Sequence, residues 1–386
     1  MKFLHLGDLH LGKRVYGYSM LEDQRVILEQ IVQMAETKQV DAVLLAGDIY
    51  DKAVPPGEAV SLFDSFFTAL CAKNIAVLAI SGNHDSGERL NFGRTLLAQQ
   101  GMHLAGSFDG ILEAVTLCDA EGCRVQFHLL PWLHPMELKE KLELEKSSQQ
   151  CAVQAVLEQA DWDDGVRHVL LAHTFVTVGG ELPAQSESEI IPVGGVDAVD
   201  AALFERYDYA ALGHIHRPQR LGRECVRYSG SPLKYSFSEA RYTKSVPLVT
   251  IHTDGEPEIE LLPLKPQHDL REIRGTLEDV LSEQTVQAGN AEDYIRVILT
   301  DEEELYDPQG ALKEVYPNLM RLDFDNTRTR TEDTDGLQQE DAAKQMTPAE
   351  LFAQFFIEQN GKKMTEWQQS MLDSICRRME EADEAN

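Results

Sequence analysis

The chain has 386 residues, a length typical of two or three domains. Hydrophobic residues make up 43% and charged residues 26%, as in ordinary globular proteins, and no apolar run approaches the roughly 18 residues of a membrane span. The 35 Lys and Arg against 65 Asp and Glu give a net charge of −30, which repels nucleic acid over most of the surface. Any phosphate chemistry would therefore need metal ions, a local basic patch or a basic partner.

The N-terminus and the cysteines predict a location in a reducing cytoplasm. Asp8 interrupts the apolar stretch that a signal peptide would need, which argues against secretion. The six cysteines are scattered and form no Cys-x-x-Cys pair, which argues against a disulfide framework or a structural zinc site.

Short apolar segments in the first part of the chain predict strands that are buried on both faces. These segments are residues 2–6, 42–46, 75–80, 169–172 and 209–212. Apolar residues at helical spacing predict a helix between the first two strands and another between the second and third. A hairpin with strands at residues 248–251 and 259–262 and a turn at Asp254-Gly255 follows. The first part of the chain is therefore α/β.

After residues 263–266 the pattern becomes that of a small α+β module. Its predicted strands are residues 270–273, 294–299 and 319–324, and its predicted helices are residues 277–281 and 311–315. The segment from residue 326 to about residue 345 is polar and almost free of apolar side chains, which predicts a flexible linker.

The tail predicts a helical hairpin. The capping box at residues 347–350 indicates the start of one helix, and Thr365 begins the second. Their apolar residues are Leu351, Phe352, Phe355, Phe356, Trp367, Met371, Leu372 and Ile375. Two short helices cannot bury this surface against each other alone. The hairpin either packs back on the body of the protein or docks onto another chain, and the linker favours docking.

A polar cluster follows each of the five buried strands. The clusters are Asp8-Leu9-His10, Gly47-Asp48-Ile49-Tyr50-Asp51, Gly82-Asn83-His84-Asp85, His173 and Gly213-His214-Ile215-His216. Loops at the carboxyl ends of strands in α/β sheets converge on ligands. Each cluster alone would more often be hydrogen-bonded core, but five in order predict a site. Carboxylate, imidazole and amide oxygen suit Mn²⁺, Fe²⁺ or Zn²⁺, and the set is large enough for two ions.

This series of motifs resembles the calcineurin-like metallophosphoesterases. Within that superfamily, residues 6–13 (LGDLHLGK) and 229–239 (SGSPLKYSFSE), the α+β module and the tail resemble the nuclease subunits of SbcCD-type complexes, over nearly the whole chain. Protein Ser/Thr phosphatases are expected to carry Arg after the second aspartate of Gly-Asp-x-x-Asp and Glu after Gly-Asn-His. Lys52 and Asp85 occupy those positions here, which disfavours that branch.

The resemblance implies an α/β fold in which a metallophosphoesterase β-sandwich is flanked by helices, with a small α+β capping domain and a C-terminal helical hairpin. It implies a nuclease domain at residues 1–265 and a DNA-contacting capping domain at residues 266–325. A flexible linker would span residues 326–346, and residues 347–386 would form the hairpin that docks an ATPase partner.

The resemblance also implies a role for each site residue. Asp8, His10 and His216 would hold one ion, Asn83, His173 and His214 would hold a second, and Asp48 would bridge both. His84 would be catalytic, standing beside the phosphate and helping the leaving oxygen depart. Asp51 and Asp85 are expected to fix the ligands or the backbone and not to bind metal.

Basic residues near the motifs are candidates for contact with the DNA backbone. They are Lys13, Arg14, Arg217, Arg220 and Lys234. Ordinary solvated loop charges are an equally open interpretation.

The leading hypothesis is a Mn²⁺-dependent DNA nuclease that binds two Mn²⁺, with Mg²⁺ or another divalent ion as a substitute. It would act as a double-strand exonuclease and as a single-strand and hairpin endonuclease, in DNA end processing, recombination, repair and replication. The expected partners are DNA and an SbcC-like, SMC-type ATPase with a coiled coil, and no membrane. A homodimer formed through residues 62–67 and 90–97, giving a heterotetramer, and ordinary core packing of those residues are both open.

Two other functions are weighed against this hypothesis. A small-molecule phosphodiesterase or phosphatase would have no evident use for the capping module and the hairpin. A scaffold with a decayed site would have lost a ligand, and all seven are present.

Overall fold

The computed structural model describes residues 1–189 and 198–327, together with residues 356, 364–365, 368–369 and 371–372. The predicted linker and hairpin lie almost entirely outside these residues. Within the described part of the chain, no helix is long and apolar enough to cross a membrane.

The strands of the described residues are short and occur along most of the chain. In chain order they are β1 (Lys2–Leu6), β2 (Arg14–Val15), β3 (Tyr18–Ser19), β4 (Ala42–Ala46), β5 (Ala76–Ile80), β6 (Met102–Ala105), β7 (Glu113–Cys118), β8 (Arg124–Leu130), β9 (Arg167–His173), β10 (Phe175–Thr177), β11 (Ala198–Asp200), β12 (Tyr209–Gly213), β13 (Gln219–Leu221), β14 (Arg223–Tyr228), β15 (Ser245–Thr250), β16 (Glu258–Pro263), β17 (Leu270–Gly275), β18 (Tyr294–Leu299) and β19 (Leu319–Phe324).

Two long helices and several shorter ones connect these strands. The helices are α1 (Leu21–Lys38), α2 (Gly57–Cys71), α3 (Gly87–Leu90), α4 (Arg94–Ala98), α5 (Pro135–Leu138), α6 (Gln149–Glu158), α7 (Leu277–Leu281), α8 (Glu283–Gln287) and α9 (Pro308–Val315). Two 3₁₀ turns lie at Ala201–Phe204 and Phe237–Glu239.

The strands that precede the predicted site belong to two six-stranded sheets. The first sheet has the order β16-β15-β1-β4-β5-β6, in which β1, β4, β5 and β6 run parallel. The second has the order β13-β14-β12-β9-β8-β7, in which β8, β9, β12 and β14 run parallel. Each sheet is extended by antiparallel strands: β15 and β16 in the first, and β7 and β13 in the second.

The two sheets pack against each other through one side of each. Phe3 of β1 makes edge contacts with Phe127 of β8 and Tyr209 of β12, with ring centroids 5.6 and 5.7 Å apart. The neighbouring side chains, Leu4 and Leu6, face the other way and join the core formed with α1 and α2. The first sheet is therefore buried on both faces, which explains its nearly continuous apolar strands.

The sheets approach each other closely where β4 and β12 end. A Cβ atom on Gly213, the last residue of β12, would lie 1.8 Å from the carbonyl oxygen of Ala46, the last residue of β4. No side chain fits between these two backbones. Glycine at position 213 therefore lets the carboxyl ends of the two sheets meet, and the loops that follow them face each other.

Within the described residues, the strands and helices that the sequence predicts are confirmed with small shifts at their ends, whereas the two predicted helices of the tail lie almost entirely outside those residues. Five predicted elements, β1, β4, α7, β18 and β19, have the predicted bounds. The strand predicted at residues 75–80 begins one residue later, and the one predicted at residues 169–172 extends to Arg167–His173. The predicted domain boundaries after residues 265, 325 and 346 stay predictions.

The contacts divide the chain into two units. The first comprises residues 1–273, 281–297 and 309–322, and the second comprises residues 274–280, 298–308 and 323–386. Within the second unit, Leu277 N donates to Asp301 Oδ2 at 2.9 Å, and Arg274 forms an ion pair with Asp325. Strands β17, β18 and β19, which the sequence assigns to the α+β module, form a three-stranded sheet in that order.

Replacing Gly213 with alanine should destabilise the fold, because the added methyl group meets a backbone oxygen that cannot rotate away. We expect Gly213→Ala to lower the free energy of unfolding by about 1–3 kcal/mol, the usual range for overpacking. Gly57→Ala is the matched control, since a Cβ at that position meets no atom within 4 Å. Urea unfolding measures both variants, and equal stability of the two would contradict the close approach of the sheets.

Candidate metal centre

The seven predicted ligands and His84 lie at the ends of strands of the two facing sheets or in the loops that follow them. The first sheet supplies Asp8 and His10 after β1, Asp48 after β4, and Asn83 and His84 after β5. The second sheet supplies His173 at the end of β9, and His214 and His216 after β12. The site is thus built at the joint edge of both sheets.

The backbone at this edge takes up an unusual conformation. Among the described residues, nine that are not glycine have positive φ, and four of them are Asp8, His10, Asp48 and His214. Non-glycine residues in this conformation cost free energy, and such residues concentrate at functional sites. Hydrogen bonds hold the strained turns together: His10 N donates to Asp48 O at 2.9 Å, and Asp8 N donates to Gly47 O at 3.1 Å.

Asp8, His10 and His216 form one half of the centre. Each offers a ligand atom, the three atoms lie within 4.8 Å of one another, and all three residues are buried. Nε2 of His10 and Nε2 of His216 are 3.1 Å apart. Two imidazole nitrogens that face each other at this distance can both bind one cation placed beside them.

Asn83, His173 and His214 form the other half. The Asn83 Oδ1 atom lies 3.0 Å from His173 Nε2 and 3.0 Å from His214 Nδ1. The carboxylate of Asp48 stands between the halves, since its Oδ2 atom is 3.5 Å from both His10 Nε2 and His173 Nε2. The structure therefore brings together all seven predicted ligands, while their role as ligands stays a prediction.

In Asp8 and Asp48, one carboxylate oxygen accepts a hydrogen bond from the backbone and the other faces the interior. Asp8 Oδ1 accepts a hydrogen bond from His214 N, and Asp48 Oδ1 accepts one from His84 N, both at 2.9 Å. These bonds also link the loop after one strand to the loop after another. The two Oδ2 atoms are left to face the centre.

Burial and local charge set the protonation of the centre. Burial lowers the pKa of His10. It also lowers the pKa of His214 to about 3 and that of His216 well below its ordinary value, and neighbouring histidines lower these two pKa values further. Burial lowers the pKa of His173 as well, but Asp48 outweighs it and raises that pKa to about 9. Burial alone would raise the pKa of Asp48, and His173 and His10 hold it below its ordinary value. His10, His214 and His216 are therefore neutral, as metal binding requires, whereas His173 is the protonated partner of Asp48 and would release its proton when a cation binds.

The residues fit a divalent metal. Asp8 Oδ2 and His10 Nδ1 are buried without a hydrogen-bond partner among the described residues, although buried polar atoms are rarely left so. Asp51 Oδ1 lies 3.5 Å from His10 Nδ1, beyond hydrogen-bond distance. A cluster of carboxylate, imidazole and amide atoms that includes an unsatisfied carboxylate oxygen is the environment that a cation completes.

His84 differs from the buried ligands in its exposure and hydrogen bonding. Its Nδ1 donates to the carbonyl oxygen of Asp51 at 2.9 Å, which leaves Nε2 for other partners. A ring nitrogen of His84 lies within 4.8 Å of ligand atoms of His10 and Asp48, so distance alone would also allow it to bind metal. His84, Asn83 and His214 are only partly buried or exposed, so the centre is open on their side.

Asp85 fixes the backbone, as expected from the sequence. Its carboxylate accepts hydrogen bonds from Ile49 N at 3.1 Å and from Tyr50 N and Gly82 N at 2.9 Å. The loop after β4 is thereby tied to the loop after β5. Asp51 instead accepts a hydrogen bond from Lys13 Nζ at 2.8 Å.

The five basic residues predicted to contact DNA differ in their availability. Arg14 and Arg220 are exposed, whereas Lys13 and Arg217 are partly buried. Arg217 stacks on Tyr242, with 4.5 Å between its guanidinium carbon and the ring centroid. Lys234 is 9% exposed, and its ammonium group donates to Ala240 O at 2.9 Å and to Asp269. Lys234 therefore has its hydrogen bonds inside the protein.

Two groups of residues near the centre were not predicted from the sequence. Trp132 follows β8, and its ring stacks on His214 with centroids 5.7 Å apart. Ser188 and Glu239 lie behind His216, with Ser188 Oγ 2.7 Å from His216 Nδ1. Trp132 follows a strand that ends at the same sheet edge, and this position could have indicated it from the sequence. Because β8 itself was not predicted, Trp132 was not predicted either.

Comparison with known proteins identifies the family. The family model described as "Calcineurin-like phosphoesterase" matches residues 1–218, and the one described as "Type 5 capsule protein repressor C-terminal domain" (SbcD_C) matches residues 266–360. The chain is 33% identical to SbcD, the D component of the nuclease SbcCD, of Staphylococcus epidermidis over 326 residues, which is 83% of this chain and 85% of that protein. The chain belongs to the SbcD family of calcineurin-like phosphoesterases.

Family membership confirms the resemblance seen in the sequence and the metallophosphoesterase fold, and makes the chain a metal-dependent phosphoesterase. Among solved structures, a dimetal phosphatase from Danio rerio is 14% identical. That similarity covers 67% of this chain and 98% of the other, with a TM-score of 0.39.

Replacing Asp85 with alanine should loosen the centre. Three backbone N–H groups would lose their acceptor, so we expect Asp85→Ala to lower the free energy of unfolding by about 1–3 kcal/mol. Asp64→Ala is the matched control, because Asp64 is exposed on α2. Urea unfolding in the presence of a chelator measures both, and a stability of Asp85→Ala equal to that of the control would show that Asp85 does not hold the loops.

Proposed function

We propose that the chain is the nuclease component of an SbcCD-type complex and that it hydrolyses the phosphodiester backbone of DNA with two Mn²⁺ ions. It would act as a double-strand exonuclease and as a single-strand and hairpin endonuclease in DNA end processing, recombination and repair. The similarity to the SbcCD nuclease component of Staphylococcus epidermidis supports this proposal. The observation that carries it is the convergence of seven side chains of metal-ligand chemistry at one open sheet edge.

In this proposal the ligands form two sets. Asp8, His10 and His216 would hold one ion, and Asp48 would contact both. The second ion would be held by Asn83, His173 and His214. When bound, divalent ions at such a site supply Lewis acidity, which polarises a phosphoryl oxygen and lowers the pKa of water.

The protein's own groups prepare the site for a phosphate. His173 Nδ1 donates to Ala46 O at 2.8 Å, which fixes the ring and leaves Nε2 for coordination. His84 is held by its bond to Asp51 O, so its Nε2 can carry the proton that the leaving oxygen of the scissile bond requires. Both groups are in place before any substrate arrives, which reduces the entropic cost of reaction.

DNA would approach from the open side of the centre. Arg14 and Arg217 have no ion-pair partner among the described residues, whereas Lys13, Arg220 and Lys234 are paired with Asp51, Glu224 and Asp269. So few basic residues cannot offset a net charge of −30. We propose that an SbcC-like ATPase supplies the remaining basic surface, and that the chain forms a homodimer within a heterotetramer.

The experiment that tests the function compares substrates for the purified full-length chain. End-labelled linear duplex DNA and a closed DNA hairpin are incubated with Mn²⁺, with Mg²⁺ and with a chelator, in the presence and absence of the ATPase and ATP. We expect cleavage of both DNAs that depends on Mn²⁺. Hydrolysis of a small phosphodiester without cleavage of either DNA would instead favour the small-molecule phosphodiesterase.

Two substitutions separate metal binding from catalysis. Asp48→Ala should abolish activity through metal loss, because it removes the carboxylate between the two halves of the centre. His84→Gln should keep both metals and lose cleavage by about 10²–10⁴-fold, the usual contribution of a general acid. Metal content and cleavage are measured on the same protein samples. Asp48→Ala with two tightly bound ions would refute the bridging role, and His84→Gln without metal would make His84 a ligand.

The proposed hairpin should be needed for the partner and not for the metal centre. Phe355→Asp places a charge in the apolar set of the predicted first helix, whereas Gln354→Asp places the same charge outside that set. We expect Phe355→Asp to abolish co-purification with the ATPase and to leave Mn²⁺ binding unchanged, and Gln354→Asp to leave both unchanged. Full recovery of the ATPase with Phe355→Asp would show that this residue does not contact it.

A further inference from the structure

A buried polar network lies directly behind His216, on the side away from His10. It consists of Ser188, Glu239 and Lys244, and Glu239 and Lys244 are 0% and 5% exposed. Glu239 and Lys244 belong to or follow the SGSPLKYSFSE motif, to which the proposed function gives no role. Burying an ion pair costs free energy unless its geometry and hydrogen bonds are complete, so its presence here calls for a reason.

Lys244 holds the carboxylate of Glu239 in one position. The ammonium group donates to Glu239 Oε2 at 2.5 Å, to His216 O at 2.8 Å and to Ser231 Oγ at 2.9 Å. All three of its protons are thereby used. The other oxygen of Glu239, Oε1, accepts hydrogen bonds from Tyr235 N at 3.2 Å and from Ser188 Oγ at 2.8 Å.

The direction of the hydrogen bonds follows from Glu239. Ser188 Oγ also lies 2.8 Å from Ser186 Oγ, but a hydroxyl group can donate to Ser188 whereas a carboxylate only accepts, so we assign the single hydroxyl proton of Ser188 to Glu239 Oε1. The Oγ atom of Ser188 must then accept from His216 Nδ1, which lies 2.7 Å away. The proton of the neutral imidazole is placed on Nδ1, and the lone pair of Nε2 faces His10 and the metal centre.

We propose that Ser188, Glu239 and Lys244 form a positioning network that fixes the tautomer and ring orientation of His216 for metal binding. The inference rests on the proposed function, because it takes His216 as a metal ligand. A second contact supports it: Glu189 Oε1 accepts from His216 N at 2.6 Å, so the segment that carries Ser188 holds both the ring and the backbone of His216. Outer partners of this kind typically contribute 10–100-fold to metal affinity.

The test is a calorimetric titration of the full-length chain with Mn²⁺. Ser188→Ala should weaken one of the two binding events by about 10–100-fold and leave the other unchanged. Ser188→Thr keeps the hydroxyl group and should restore the wild-type isotherm. Glu187→Ala, a neighbouring exposed residue, is the control and should also match the wild type.

A second measurement on the metal-free chain does not depend on metal binding. Nitrogen-15 NMR of the histidine rings, with the His216 signals assigned by their absence in His216→Asn, should show the Nδ1–H tautomer in the wild type and its loss in Ser188→Ala. Wild-type Mn²⁺ binding by Ser188→Ala, or an unchanged tautomer, would overturn this inference alone. A wild-type chain that binds no Mn²⁺ would overturn the proposed function and this inference together.

Discussion

The close contact between the ends of β4 and β12 determines the rest of the centre. Gly213 lies so near the carbonyl oxygen of Ala46 that a single methyl group would not fit. Because the two sheets meet at this point, the loop after β12 brings His214 N to Asp8 Oδ1, across 206 positions of sequence. The same contact places His173 Nδ1 on Ala46 O. The metal-binding geometry is thus a consequence of sheet packing, and the loops only complete it.

Burial and charge explain how an acidic chain can carry out phosphate chemistry. Asp8, His10, Asp48, His173 and His216 are buried, so the carboxylates of the centre interact strongly with whatever cation the site holds. Most of the other acidic residues that the structure describes are at the surface, where water and salt screen them. The overall charge of −30 would therefore affect the approach of the proposed DNA substrate more than the chemistry. A basic partner that holds the duplex is a natural complement to such a surface.

Local sequence predicted the strands that are apolar on both faces, and with them the order of the site loops. It did not predict β8, because the buried polar residues Gln126 and His128 interrupt its apolar run, nor the partly exposed edge strand β7. The network behind His216 was also missed, since Ser188, His216 and Glu239 meet only in the folded chain. The seven candidate ligands could be found because each follows a recognisable strand, whereas their pairing depends on contacts between distant segments.

The central claim is that the joint sheet edge holds two metal ions with Asp48 between them. Crystals of the full-length chain grown with Mn²⁺, measured at the manganese absorption edge, test it directly through the anomalous signal. We predict two peaks about 3.5–4 Å apart, one next to Asp8, His10 and His216, and both in contact with Asp48. A single peak, or two peaks of which one lies away from Asp48, would contradict the claim.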